Sequence, residues 1–408
     1  MVSKTIFILL DETANSLVKR RDIEGLSNVA KMARALHSNE QQCIYYDLGA
    51  DTGGYSGSAI DGVFAASLYA KLQQAYVFLV DNYQPGDKLV FMGFGRGAYT
   101  VQTLAGVVGQ IGIVRKKYKA AVDNVFFAYR SLNKTKSKPL LEAKIGRFSE
   151  YFCHPDKTIH FLGVWDTVGS VGMPVRFMQR LSKRFIGFLD YRLPEQVVNA
   201  YQALAIDEKR RVLKPLLWQF DADYCPEKQG RDIEQRWFSG SHSDVGGGYL
   251  NSRLSDESFR WMLEKLQHSS DHLALDQKFV EPILANCQTR YAVTDLHDSY
   301  SGVYQLQLPY RRKVNLTSSA VDGFKRFETI DDSVCQRYSQ SDYLPVNVSV
   351  GNLSGIGNVI RRDRKRLSSK RGKAQTNKVQ PEKTQSSKVQ GKKKTKNKRN
   401  KKKAPAVV

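Results

Sequence analysis

"KLVFMGFGRGAYTVQTLAGVVG" (residues 88–109) places a glycine-rich turn between a short apolar run and a helical pattern. The run predicts a strand, and the spacing after the turn predicts a helix. Two functional interpretations fit the turn. Gly93, Gly95 and Ala98 match G-x-G-x-x-A, which brings a dinucleotide pyrophosphate to a helix N-terminus. Gly93, Gly95 and Gly97 match the G-x-S-x-G turn that presents a hydrolase nucleophile, with glycine in place of the serine.

Short apolar runs alternate with helical patterns along much of the chain. Continuous apolar character predicts strands at 5–10, 42–46, 88–93, 158–165 and 235–240. Apolar residues at helical spacing predict helices at 27–37, 59–83, 98–109, 194–210 and 255–267. We therefore predict an α/β fold with a mostly parallel sheet and helices on both of its faces. In such a sheet, chemistry takes place at the carboxyl ends of the strands.

The residues that follow the turn distinguish the two interpretations. A dinucleotide site requires an acid at the end of the next strand, about 20 residues further on. The segment 113–119 reads IVRKKYK and contains no acid. A hydrolase requires an acid and then a histidine at later strand ends. Asp166 and His242 follow predicted strands in that order, and they favour the hydrolase interpretation. Asp166 would orient the imidazole, and His242 would accept the proton of the nucleophile.

Six motifs, in the same chain order, resemble the α/β-hydrolase domain of the type VI secretion phospholipase effectors. They are "LLDETAN" (9–15), "IYYDLGADTG" (44–53), "GFGRGAYTVQTLAG" (93–106), "FLGVWDTVGSVG" (161–172), "QALAIDEKR" (202–210) and "RWFSGSHSDVGGGY" (236–249). The resemblance implies an α/β-hydrolase-like fold over about the first 300 residues. It also implies a lipid or a related ester as the ligand.

The resemblance also identifies the positions at which this chain differs from the family. Gly95 stands where the family has its nucleophilic serine, Glu12 where it has a glycine, and Gln202 where it has a histidine. The acid Asp166 and the base His242 are retained. Further residues of the family motifs, for which we predict binding roles, are also retained: Asp11, Thr13, Asn15, Arg96 and Asp244.

These differences predict a catalytically degenerate hydrolase that retains the binding of a ligand or a protein partner. Gly95 removes the nucleophile, and the Glu12 carboxylate would oppose a developing oxyanion if its loop lies near the turn. The alternative is an active lipid-ester hydrolase with a displaced nucleophile. The hydroxyls near the matched motifs are those of Ser170, Ser239 and Ser241.

Most of the formal net charge of +23 lies at the C-terminal end of the sequence. Residues 361–408 contain 20 Lys and Arg against two acids, whereas residues 1–360 contain 43 basic and 38 acidic side chains. The segment has too few large apolar residues to fold. We predict a hydrolase-like domain at 1–345 and a disordered Lys/Arg-rich tail at 346–408. A third functional alternative is that residues 361–408 bind an anionic membrane surface or nucleic acid.

The cysteines and the N-terminus predict where the protein works. The five cysteines are scattered without C-x-x-C spacing, which favours a reduced compartment and argues against zinc. We predict neither a metal nor a cofactor. The N-terminal apolar run has five residues and is too short for a signal peptide or a membrane span. We predict a cytoplasmic protein, with any export by a system that uses no signal peptide.

Overall fold

The computed structural model describes residues 3–12, 25–48, 60–134, 138–169, 193–270, 272–287, 295–316 and 321–348. Thr13, Asn15 and Ser170 lie outside the described residues, as does the segment 349–408. The chain divides into two compact units, Met1–Ile360 and Arg361–Val408, and the described residues all belong to the first. The domain boundary at 345 and the disorder of the tail remain predictions.

Seven parallel strands form the central sheet, in the order β2-β1-β3-β4-β5-β7-β9. They are β1 Thr5–Leu10, β2 Gln42–Asp47, β3 Lys88–Phe94, β4 Ile159–Trp165, β5 Val197–Ala205, β7 Asp232–Phe238 and β9 Glu328–Ile330. The short strands β6 (Phe220–Asp221) and β8 (Phe324–Lys325) form a separate antiparallel pair. The five strands predicted from apolar runs correspond to β1, β2, β3, β4 and β7.

The helices of the described residues follow the strands in the alternation that the sequence predicts. They are α1 Asn28–Ala35, α2 Ile60–Asn82, α3 Arg96–Gln110, α4 Val122–Lys134, α5 Lys138–Phe152, α6 His242–Gly246, α7 Arg253–His268, α8 Gln277–Cys287 and α9 Asp332–Gln340. A 3₁₀ segment, Lys116–Ala121, precedes α4. Among these described helices, none has the length and apolar character needed to cross a membrane.

Helices cover both faces of the sheet, as predicted. Along β1, Ile6 and Ile8 point into a core formed with α2, α3 and α4. The alternate residues Phe7 and Leu9 point into a second core formed with α1, α7 and α8. A strand that is buried on both faces needs apolar residues at every position, which explains the continuous apolar runs. The predicted α/β-hydrolase-like fold class is confirmed.

The helix predicted at 194–210 is wrong, because this segment contains the interior strand β5. β5 pairs with β4 on one side and with β7 on the other. Both of its faces are covered, so VVNAYQALA (197–205) carries apolar residues without the period-2 alternation that marks a strand. Pro194 was assigned to a first helical turn, but its carbonyl accepts a hydrogen bond from the Val197 amide in the turn before the strand.

Candidate active site

The turn between β3 and α3 places residue 95 at the carboxyl edge of the sheet. Gly95 has φ 55° and ψ −110°, a conformation that costs a residue with a side chain roughly 1–3 kcal/mol. A Cβ at Gly97 would overlap the backbone oxygen of Leu10, so this glycine allows the turn to pack against the end of β1. Helix α3 begins at the next residue, Arg96. This sharp strand-to-helix turn has the shape expected of a nucleophile elbow.

Asp166 and His242 are buried at the same edge of the sheet. Asp166 follows β4 directly and has φ 41°. His242 begins α6, shortly after β7 ends. Asp166 Oδ2 lies 2.5 Å from His242 Nδ1, and the Phe94 ring packs against the imidazole with ring centroids 4.6 Å apart. The hydrogen bond and the ring contact fix the imidazole plane. The structure therefore brings together the acid and the base that the sequence singled out.

The Glu12 carboxylate fills the space beside Gly95 that a side chain at position 95 would enter. Its Oε2 atom is 2.9 Å from His242 Nε2, and its Oε1 atom is 3.3 Å from Nε of Arg96. A Cβ added to residue 95 would lie 2.8 Å from the carboxyl carbon of Glu12. The carboxylate thus lies between residue 95 and the Nε2 atom of His242, in contact with both.

The charges of Glu12 and His242 stabilise each other. Burial disfavours the imidazolium, but attraction by Glu12 and hydrogen bonds to Asp166 and Glu12 outweigh burial and raise the pKa of His242 to about 9. Burial likewise disfavours the Glu12 carboxylate, yet attraction to His242 and Arg96 holds its pKa below the ordinary value. At neutral pH the imidazole is therefore protonated and donates from both nitrogens.

Arg312 completes this arrangement, and the sequence analysis missed it. Its two terminal nitrogens donate to the two carboxylate oxygens of Asp166, at 2.5 and 2.9 Å. The same nitrogens donate to the carbonyls of Ala205 and Leu213. Burial opposes ionisation of Asp166, but attraction by Arg312 and the hydrogen bond from His242 hold its pKa well below the usual range. Arg312, Asp166, His242 and Glu12 thus form a buried chain of alternating charge, which we call the charge chain.

Asp11 and Arg96, two of the predicted binding residues, lie next to the charge chain. Asp11 is buried and accepts hydrogen bonds from Ser27 Oγ (2.5 Å) and the Tyr46 hydroxyl (2.9 Å). Burial raises the pKa of Asp11 to about 7, against the effect of these bonds. Arg96 contacts the Glu12 carboxylate. Asp11 therefore anchors the end of β1, and Arg96 neutralises Glu12.

Asp244 and Ser241 have local partners, whereas the buried hydroxyl of Ser239 has none among the described residues. Asp244 accepts hydrogen bonds from the backbone amide and the hydroxyl of Ser241, both at 2.9 Å, which caps α6. Its other oxygen lies 2.6 Å from Nδ1 of His297. Ser239 is fully buried. Ser241 therefore has a capping role, and Glu12 holds the Nε2 atom of His242 that a displaced nucleophile would need.

Within the described ranges, no group of three or more His, Cys, Asp or Glu side chains is arranged to hold a metal ion. The five cysteines are free thiols. The titratable side chains around Gly95 instead pair with one another as the charge chain. This arrangement holds the carboxylates and the imidazole in fixed, charge-paired positions.

The charge of His242 gives the first testable expectation. In Glu12→Gln, we expect the pKa of His242 to fall from about 9 by about 1–3 units, because one neighbouring charge is lost. The shift is measured from the pH dependence of the His242 ring resonances, which are assigned by their absence from His242→Gln. An unchanged pKa in Glu12→Gln would contradict the contact between the two side chains.

The same linkage predicts how stability changes with pH. A folded pKa above the unfolded value of 6.5 stabilises the protein fully below pH 6.5, and this contribution is lost as the pH rises through about 9. The unfolding free energy of the unmodified protein should therefore exceed that of Glu12→Gln most at about pH 5–6.5. The difference should shrink toward pH 9 in urea denaturation.

A parallel sheet, a positive-φ turn after β3, and an acid and a histidine after later strands together define an α/β-hydrolase. The family model named "T6SS, Phospholipase effector Tle1-like, catalytic domain" matches residues 4–265. The chain belongs to this family of phospholipase effector catalytic domains, as the resemblance indicated.

Individual relatives are distant. An uncharacterized protein of Saccharomyces cerevisiae is 28% identical over 170 residues, which cover 37% of this chain and 25% of that protein. An uncharacterized protein of Pseudomonas aeruginosa has a solved structure with 17% identity and a TM-score of 0.40, covering 71% of this chain and 50% of that one. The solved structure of a Tle1 effector bound to the VgrG spike of the type VI secretion system has 19% identity and a TM-score of 0.35. The match covers 61% of this chain and 51% of that one. The chain thus spans a quarter of the yeast relative and half of each solved chain.

Proposed function

We propose that this protein is a phospholipase-like α/β-hydrolase domain that has lost serine catalysis and retains a binding role. The observation that carries the proposal is the 2.9 Å contact between Glu12 Oε2 and His242 Nε2. This contact lies beside Gly95, the position at which the family motif has its serine, and so supports the loss of the nucleophile. Family membership supports a lipid or a related ester as the ligand.

The charge chain is incompatible with serine-type acyl transfer for two reasons. A general base must be unprotonated at working pH, whereas the pKa of His242 is raised to about 9. An acyl-transfer intermediate also develops a negative oxygen near the elbow. The Glu12 carboxylate, which lies beside Gly95, would repel that oxygen. His242, held by Asp166 at Nδ1, therefore serves to bind the Glu12 carboxylate at Nε2.

We expect the purified protein to hydrolyse short-chain p-nitrophenyl esters and phosphatidylglycerol no faster than its His242→Ala variant. The physical reason is that the elbow has no hydroxyl and its histidine is protonated. Initial rates over a range of pH values measure this, and labelling by a fluorophosphonate probe reports any activated serine. Turnover that His242→Ala abolishes would contradict the proposal and support a displaced nucleophile instead.

Residues 361–408 support a further role in binding polyanions. Their 20 basic side chains against two acids suit phosphate-rich surfaces, either anionic lipid or nucleic acid. The family name also motivates a protein partner and export by a route without a signal peptide, from a cytoplasmic site of synthesis. These remain proposals alongside the loss of catalysis.

A further inference from the structure

Helix α5 presents a stripe of basic and apolar side chains along one edge. Leu140, Lys144, Arg147 and Tyr151 are spaced by four, three and four residues, which places them on one face of the helix. All four are exposed; Leu140 is 67% and Tyr151 62% accessible. Of the acids of the helix, Glu142 lies away from the stripe and Glu150 borders it, three residues after Arg147. Ile145 and Ser149 face the interior.

The stripe continues onto the 3₁₀ segment before α4. The Tyr118 ring stacks on the Tyr151 ring with centroids 5.7 Å apart. The ammonium of Lys117 lies 4.8 Å from the centroid of Tyr118. Lys117 is exposed. Together, Leu140, Lys144, Arg147, Tyr151, Tyr118 and Lys117 form one continuous patch, which we call the basic–aromatic surface.

The sequence around this surface carries more positive charge than the rest of the body. Residues 115–147 contain ten basic side chains and two acids. Residues 1–360 contain 43 basic and 38 acidic side chains in total. Without residues 115–147, the rest of residues 1–360 is therefore net acidic. Some of the charge is used locally, since Lys119 pairs with Asp81 at 2.7 Å. The excess of basic over acidic side chains in residues 1–360 is therefore concentrated in residues 115–147.

We propose that the basic–aromatic surface docks on an anionic lipid membrane independently of residues 361–408. Leu140 and Tyr151 enter the boundary between head groups and acyl chains, where exposed apolar area gains free energy. Lys117, Lys144 and Arg147 extend their stems along that boundary and contact lipid phosphates. An exposed aliphatic side chain such as Leu140 gains nothing from a nucleic-acid backbone, which favours lipid as the occupant.

This surface is distinct from the charge chain, so its role goes beyond the proposed loss of catalysis and is tested separately. The four tryptophans, Trp165, Trp218, Trp237 and Trp261, are all buried. Leu140→Trp in the full chain therefore adds one exposed tryptophan, a fluorescent reporter, within the basic–aromatic surface. Leu308→Trp places a matched reporter on a residue that is 81% exposed elsewhere.

The experiment measures quenching of tryptophan fluorescence by vesicles that carry brominated acyl chains. We expect equal mixtures of phosphatidylserine and phosphatidylcholine to quench Leu140→Trp, and pure phosphatidylcholine to leave it unchanged. Leu308→Trp should remain unquenched by both. Circular dichroism and thermal unfolding first establish that each variant folds like the unmodified chain.

A pair of charge-reversal substitutions tests the electrostatic contribution to vesicle binding. Adding Lys144→Glu and Arg147→Glu to the Leu140→Trp chain should weaken vesicle binding by about 30-fold or more, the effect of two lost surface cations. Lys278→Glu with Lys313→Glu changes the net charge equally at exposed positions elsewhere and should have a much smaller effect.

Three results would overturn the proposal. If vesicles pellet the chain without quenching Leu140→Trp, another segment such as 361–408 makes the contact. If Leu308→Trp is quenched instead, a different face docks. If the Leu140→Trp emission responds to nucleic acid and not to vesicles, the surface recognises another polyanion. Each outcome is independent of esterase activity, so failure here leaves the proposed loss of catalysis unaffected.

Discussion

The double variant Glu12→Gly/Gly95→Ser is expected to hydrolyse short-chain esters on the order of 100-fold or more faster than the unmodified protein, because it restores both the nucleophile and a neutral elbow. Removing the carboxylate frees Nε2 of His242, which lies 2.9 Å from Glu12 Oε2. The imidazole then loses the charge that keeps it protonated. We expect a serine hydroxyl at position 95 to reach Nε2, with Asp166 already bonded to Nδ1.

Gly95→Ser alone is expected to remain near background. The new Cβ would lie 2.8 Å from the carboxyl carbon of Glu12, and His242 would stay bound to that carboxylate. The left-handed turn adds strain, so the unfolding free energy should fall by roughly 1–3 kcal/mol. The two substitutions should therefore be strongly coupled in a double-mutant cycle of the rates.

Glu12→Gly/Gly95→Ala is the matched control, since it opens the same space and strains the same turn but has no hydroxyl. Only the serine double variant should turn over esters and become labelled by a fluorophosphonate. If both double variants stay inactive and unlabelled while folding normally, residue 95 is not at a nucleophile elbow. In that case the charge chain would have another purpose.

Much of the fold is readable from the sequence because its strands are buried on both faces. Runs such as TIFILL (5–10) are continuously apolar from their second residue, and this run is followed by a helical pattern. Burial on both faces also explains why β5 was not predicted. VVNAYQALA (197–205) lacks the alternation of apolar and polar residues that would distinguish a strand from a helix. The pattern of apolar residues in the sequence therefore identifies most strands of this parallel sheet but assigns another one to a helix.

In the candidate site, a residue could be predicted from the sequence only where it lies in a recognisable motif. Gly95, Asp166 and His242 sit in motifs with fixed spacing from strand ends, so their sequence context singles them out. Arg312 has no such context: it lies in an irregular segment beside Arg311, and 146 residues separate it from Asp166. The position of Glu12 beside Gly95 likewise depends on how two loops pack. Contacts of this kind follow from the tertiary fold and leave no local pattern.

Arg312→Met is expected to lower the unfolding free energy by about 3–5 kcal/mol, because it leaves a buried carboxylate without its main cation. Arg312 and Asp166 are both fully buried, and the arginine also satisfies the carbonyls of Ala205 and Leu213. Methionine has a similar length but provides neither charge nor donors. Urea denaturation followed by tryptophan fluorescence measures the loss.

Arg311→Met is the matched control, since Arg311 is the exposed neighbour of Arg312 and should change stability by less than about 0.5 kcal/mol. Asp166→Asn combined with Arg312→Met should cost less than the sum of the two single changes, because the second substitution removes the charge that the first one leaves unpaired. Equal effects of Arg311→Met and Arg312→Met would contradict the bidentate pair. Strict additivity would mean that Asp166 and Arg312 act independently, and the charge chain would then end at Asp166.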